Sequence, residues 1–167
     1  GGGYEGTVIE EILPVQLERT SQPFIGESFH LKRGKNLLRH PILQLERESS
    51  ANTKAWQALP ELNGINAGLK PRKNAHVLAS FDKGNKNYPV LVAGHVGEGR
   101  SLVMATDSSW NWNFRRVGEG GSGRYYYKFW NNLIAWLTDD PETRLLKLEA
   151  DKERYEEGED VLLRVRV

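Results

Sequence analysis

Asp107-Ser108-Ser109-Trp110-Asn111-Trp112 places a carboxylate, two hydroxyls and two indoles within six residues, and Arg115 follows three positions later. Such a set can hold a polar ligand, the carboxylate, hydroxyls and guanidinium making hydrogen bonds while the indoles offer flat stacking faces. The same residues also fit a structural role, with Asp107 and Ser108 capping a turn and Trp110 and Trp112 folding back as core plugs. Ser108 or Ser109 as a hydrolase nucleophile would need a Gly-x-Ser-x-Gly elbow and a histidine partner, and no elbow surrounds them. His95 stands between Gly94 and Gly97 at the end of an apolar run, a position where sheets present ligand-contacting groups. Together these give a candidate ligand-binding set of His95, Asp107, Ser108, Trp110, Trp112 and Arg115.

Other chemistries lack their residues. Without cysteine there is no disulfide, no thiolate zinc site and no thiol nucleophile. His30, His40 and His76 have no partner at the i+3 or i+4 spacing of a metal-ligand pair, so neither a metal nor any cofactor is expected. Gly118-Glu119-Gly120-Gly121-Ser122-Gly123 precedes a helical pattern but lacks the Lys-Ser/Thr ending of a phosphate loop, and reads as a connector. Lys plus Arg number 23 against 22 Asp plus Glu, a net charge of +1, which removes any bulk electrostatic case for nucleic acid or an anionic membrane. Lys70-Pro71-Arg72-Lys73 and Arg115-Arg116 then read as solvated turns. No apolar run approaches the roughly 20 residues needed to cross a bilayer.

The elements that must position these residues follow from hydrophobic period. Runs at 75–81, 88–94 and 101–106 predict three short strands of one sheet, and the links Asp82-Lys83-Gly84-Asn85 and Val96-Gly97-Glu98-Gly99-Arg100 are short enough to require antiparallel pairing. Arg124 to Thr138 predicts a helix whose Tyr126, Phe129, Trp130, Leu133 and Leu137 face the sheet, with Ser122 as its cap. A short helix capped by Thr7 should end at Pro14, and a second helical turn, entered through Ser49 to Thr53, should close at Pro60. Residues 18–38 and 107–123 read as connector and loop. The body is α/β.

From Leu145 the pattern changes to two strands around a charged turn bearing Gly158, with Leu163, Val165 and Val167 on one face. Residues 141–167 hold 8 acidic and 6 basic residues, and Pro141 marks the junction, which places a boundary near 140. The opening at Gly1 without methionine and the end in mid-strand lead us to expect a piece of a longer protein.

Several segments in order, namely Gly2-Gly3-Tyr4, Leu13-Pro14-Val15, His40-Pro41-Ile42, Trp56 with Leu59-Pro60, Leu69-Lys70-Pro71, Pro89-Val90-Leu91-Val92 with Gly97-Glu98-Gly99-Arg100, Ala105-Thr106-Asp107-Ser108, and Phe129-Trp130 with Trp136-Leu137, resemble the class I glutamine amidotransferase-like domain of uncharacterised bacterial proteins. The resemblance covers about residues 1–140. It implies the C-terminal part of a flavodoxin-like α/β domain, with residues 141–167 as the first strands of an immunoglobulin-like β domain. It also implies a bacterial parent carrying a von Willebrand factor type A module behind membrane helices, hence an extracytoplasmic or membrane-tethered location.

Active members of that family deprotonate a cysteine with a histidine oriented by a carboxylate, in a His-x-Glu arrangement after the last strand. This chain has Asp107-Ser108-Ser109 there. Without an imidazole no general base stands near neutral pH. The expectation is therefore a non-catalytic scaffold or interaction domain, a pseudoenzyme, whose partners are other domains of the parent, unknown proteins or a second copy. The alternatives are a carbohydrate- or nucleotide-binding module using the loop after 101–106, and, more weakly, a hydrolase whose catalytic residues lie upstream.

Overall fold

The computed structural model describes residues 3–34, 37–138, 147–152, 154–156 and 158–166. The expected boundary near 140, together with Gly2, Lys35 and Val167, lies outside them.

The centre is a four-stranded sheet in which β3 (Lys32–Arg33), β6 (His76–Lys83), β7 (Lys86–Val96) and β8 (Gly99–Met104) lie side by side in that order. Every pairing is antiparallel, and the two-residue turns at Gly84 and Gly97 demand it of β6–β7 and β7–β8; both glycines hold the left-handed φ of +57° that a tight hairpin needs. The register sets His76 opposite Ala93 and His95 opposite Arg100, so these side chains share a face. On that face lies α4 (Arg124–Leu137), which buries Phe129, Leu133 and Trp136. Arg100 spans the two layers: its guanidinium covers the Trp136 ring at 5.2 Å and donates to the Trp136 carbonyl at 2.6 Å, meeting the negative end of the helix with a cation. On the opposite face Gly94 leaves room for Pro14, whose Cβ would sit 2.8 Å from a side-chain Cβ there.

Pro14 belongs to a smaller ribbon. α1 (Val8–Ile12) leads into β1 (Val15–Leu17), which pairs with β5 (Leu69–Pro71), and Glu10 fixes the corner by accepting from the Gly6 and Leu17 amides at 2.7 Å each. Thr7 does not cap α1; its hydroxyl donates to the Tyr4 carbonyl.

A third ribbon joins β2 (Phe24–Phe29), in the segment expected as connector, to β4 (Leu62–Asn66). The pairing shifts register between Ile25 and Ser28, so the buried residues Ile25 and Phe29 fall four apart and the alternation that betrays a strand is lost. Its partner contains Gly64 at φ +75°, covered by the Phe24 ring.

Two further differences concern helices. α2 (Ser49–Gln57) begins one residue after Glu48, whose carboxylate accepts from the Ser50 and Ala51 amides, so Ser49 to Thr53 are helix and not its cap. The segment expected as a loop holds a 3-10 turn, Ser108–Trp110, and α3 (Asn111–Gly118). Few of its residues are strong helix formers; what holds it is Trp112, buried edge-on against Trp56 and Phe129. The C-terminal segment forms the expected hairpin of β9 (Lys147–Ala150) and β10 (Leu163–Arg166), yet Val161, Leu162, Leu163 and Val165 are 52–59% exposed. The whole is a mixed α/β structure. The parallel pairs on which a flavodoxin-like sheet is built are not among the described pairings.

Candidate functional site

The candidate residues divide between the two ends of β8. At its carboxyl end the strand turns at Ala105, whose amide donates to the Val90 carbonyl and whose carbonyl accepts from Asn66, tying β8 to both β7 and β4. Thr106 and Ser108 then share a hydroxyl hydrogen bond of 2.8 Å, and the Ser108 oxygen also accepts the Asn63 amide at 2.8 Å. Ser108 is 4% exposed, and Ser109 is buried beside it. A hydroxyl so occupied supplies a missing partner to β4; it is not presented to a ligand.

Trp112 is 2% exposed and donates its indole N–H to the Pro60 carbonyl at 3.1 Å. It is a core plug. Trp110, at the same turn, points outward and meets Phe114 with ring centroids 6.4 Å apart. Asp107 is exposed and makes no capping bond. Arg115 is exposed and paired with Glu119 at 3.2 Å. Of the set near this end, only Asp107, Trp110 and Arg115 reach solvent, and none of them lines the clefts of about 680 Å3 bordered by Arg72 and His95 or by Tyr4 and Met104.

His95 lies elsewhere. It faces Arg100 at the amino end of β8, four residues and roughly 13 Å of strand before Met104, where the strand ends ahead of the turn that carries Asp107. The Trp136 ring is its neighbour at 6.1 Å, and His40 approaches the same ring at 5.4 Å. His40 is pushed down to about 4, first by burial and then by the nearby charges of His76 and Arg100. It is therefore neutral near pH 7, with Nδ1 accepting from the Ile42 amide at 3.4 Å. His95 also borders a cleft of about 680 Å3, with Glu11, Lys70, Arg72, Lys73 and Asn74. Arg72 is engaged there by the Leu13 and Glu10 carbonyls, each at 2.9 Å.

One imidazole does stand beside a carboxylate. His30 Nε2 lies 3.9 Å from Glu61 Oε1, both groups well exposed and beyond hydrogen-bonding reach. The serine hydroxyl of that region, on Ser28, is bonded to Asn63 Oδ1 at 2.8 Å. Reading the sequence by local spacing missed this pair because 31 residues separate its members; only the β2–β4 pairing, which sets Phe29 opposite Leu62, brings them together. Among the described residues no group of three or more acidic or imidazole side chains could hold a metal ion.

The family model described as "Putative glutamine amidotransferase" matches residues 2–139. The chain belongs to this family. Two solved structures of Salmonella typhimurium proteins share the amidotransferase-like chain's fold: cytoplasmic protein STM3548, with a TM-score of 0.56 and 20% identity, and cytoplasmic protein STM1381 of strain LT2, with 0.51 and 22%. Each match covers 80% of this chain and 47% of the other, so the chain spans about half the length of the solved proteins it resembles. No curated protein matches it in sequence. The expectation of an extracytoplasmic or membrane-tethered location is corrected by these findings. Both solved proteins of this fold are described as cytoplasmic, and no helix among the described residues is long and apolar enough to cross a membrane.

Proposed function

We propose that this amidotransferase-like chain is a non-catalytic interaction domain of a larger bacterial protein. The observation that carries the reading is the carboxyl end of β8, where the hydroxyls of Thr106 and Ser108 are spent on each other and on the Asn63 amide and, among the described residues, no imidazole pairs with Asp107. Thiol-dependent glutamine hydrolysis needs a base that is half-ionised near neutral pH within hydrogen-bond reach of the nucleophile. A carboxylate and two buried hydroxyls do not provide one. In this reading the other half of the flavodoxin-like sheet is supplied by the part of the fold that the chain does not span, and residues 141–167 open a following β domain.

The test is ammonia release from glutamine by the natural full-length protein. No release above the uncatalysed background is expected, and release that depends on any residue of this chain defeats the proposal. A second reading, a ligand-binding module for a flat polar ligand such as a sugar or nucleotide, is favoured by one observation, the outward Trp110–Phe114 pair beside Asp107. Calorimetry against a panel of such ligands separates the two, since the module reading requires heat that Trp110→Ala abolishes.

A further inference from the structure

The edge strand β3 carries two cations in different surroundings. Lys32 is exposed and pairs with Asp82. Arg33 is half-buried, and its guanidinium lies over the Trp56 ring with its carbon 5.7 Å from the centroid. Among the described residues its side chain meets no carboxylate and donates to no acceptor. Burial alone acts on its ionisation, drawing the guanidinium below its ordinary range with no neighbouring anion to restore it. The Trp56 ring accounts for one face of the guanidinium plane, while the N–H donors within that plane stay without a partner. The last turn of α2 closes on itself, its Lys54 and Trp56 carbonyls accepting from the Ala58 amide.

Arg33 borders a cleft of about 340 Å3 with His30, Leu31, Leu38, Trp56 and Gln57. Every lining residue falls between positions 30 and 57, so neither the N-terminal segment nor the β9–β10 hairpin contributes to it. The wall contains no carboxylate; Glu61, 3.9 Å from His30 Nε2, is not part of it. A volume of this order lies at the small end of the range that holds small molecules. A cation withdrawn from water costs free energy unless an anion meets it, and the planar fork of a guanidinium fits a carboxylate through two parallel hydrogen bonds.

We propose that this cleft binds a small monocarboxylate with a branched apolar body, the carboxylate on the Arg33 guanidinium and the body against Leu31 and Leu38. A phosphate dianion fits it less well. One guanidinium neutralises one charge, and the second would lie beside two leucines with Glu61 close behind His30. β3 and β8 are the opposite edges of the four-stranded sheet, so the site is separate from the carboxyl end of β8 and goes beyond the interaction-domain reading. The two fail separately: ammonia release would end that reading and leave the cleft as it is, whereas an empty cleft would leave the missing chemistry unchanged.

Saturation-transfer NMR on the natural full-length protein with isovalerate as the probe tests it. A dissociation constant on the order of 1 mM is expected for so small a ligand, with the strongest transfer to its methyl protons. Arg33→Gln should weaken binding by about tenfold or more, because it removes a charge-assisted bond. Arg33→Lys keeps the charge but loses the fork, and should weaken it by about threefold to tenfold. Leu38→Asp sets a carboxylate against the ligand's own and should weaken it by about tenfold or more; Leu38 is 40% exposed, so this variant serves even if Arg33→Gln unfolds. Isovaleramide, the same body without the charge, should bind about tenfold more weakly, and inorganic phosphate at equal concentration should not displace isovalerate. No transfer at about ten times that dissociation constant, equal binding of isovaleramide, affinity unmoved by Arg33→Gln or Leu38→Asp, or displacement by phosphate overturns the proposal.

Discussion

At the carboxyl end of β8 the polar groups are hydroxyls and amides, buried and bonded to one another; at its amino end they are imidazoles and a guanidinium, gathered around the face of Trp136. The first end has a nucleophile's atoms without a base, and the second has bases without a nucleophile. Roughly 13 Å of strand, from Arg100 to Met104, keeps them apart. Assembly by register, and not the presence of the side-chain types, decides which of these groups meet. The same contrast separates two modes of stabilisation. Ser108 and Trp112 complete unsatisfied backbone groups at one end, while Arg100 caps a helix terminus with charge at the other.

Substitutions sharpen that contrast. Trp112→Ala should cost the most, about 3–5 kcal/mol, as expected for deleting a buried indole edge-packed on Trp56 and Phe129; urea unfolding measures it. Ser108→Ala should cost about 1 kcal/mol by removing the acceptor of the Asn63 amide and the partner of the Thr106 hydroxyl, and a stability loss near zero would mean that the hydroxyl is kept for some other purpose. At the opposite end, Arg100→Met keeps the aliphatic packing and removes the bond to the Trp136 carbonyl, for about 1–2 kcal/mol, readable as a lower melting temperature.

His40 makes that end sensitive to acid. Its folded value of about 4 lies below the ordinary 6.5, so between those values the unfolded chain binds more protons and stability falls as pH falls. The contribution is complete above about 6.5 and gone below about 4. Partial exposure screens the effect, which leaves about 1–2 kcal/mol over that window. His40→Gln should flatten this limb of the stability profile, and an unchanged slope would show that the burial of His40 is not its source. The smallest effect belongs to Trp130, whose buried indole N–H has no partner among the described residues. Trp130→Phe removes that cost along with some packing, and should shift stability by less than about 0.5 kcal/mol.

The elements that read well from the sequence are those where one period dominates. β6, β7, β8 and α4 bury continuous or helically spaced runs, and the turns at Gly84 and Gly97 are too short for anything but antiparallel pairing. β2 was hidden by its bulge, and α3 by a composition that favours a helix only once Trp112 finds Trp56 and Phe129. α4's inner face turned slightly from the expected stripe, so that Trp136 is buried while Tyr126, Trp130 and Leu137 are half-buried. Of the candidate site, the local sequence sets Asp107 to Trp112 side by side, but it could not tell which indole turns inward. Nor could it place His95, since which residue of β8 faces it is a property of register and not of composition.

The central claim, that no base serves a nucleophile at the carboxyl end of β8, is tested most directly by trapping. The natural full-length protein, incubated with an electrophilic analogue of glutamine that alkylates an activated thiol, should keep its intact mass by mass spectrometry. A stoichiometric adduct that forms in the wild type and fails to form when His30, His40, His76 or His95 is replaced by Gln would contradict the account.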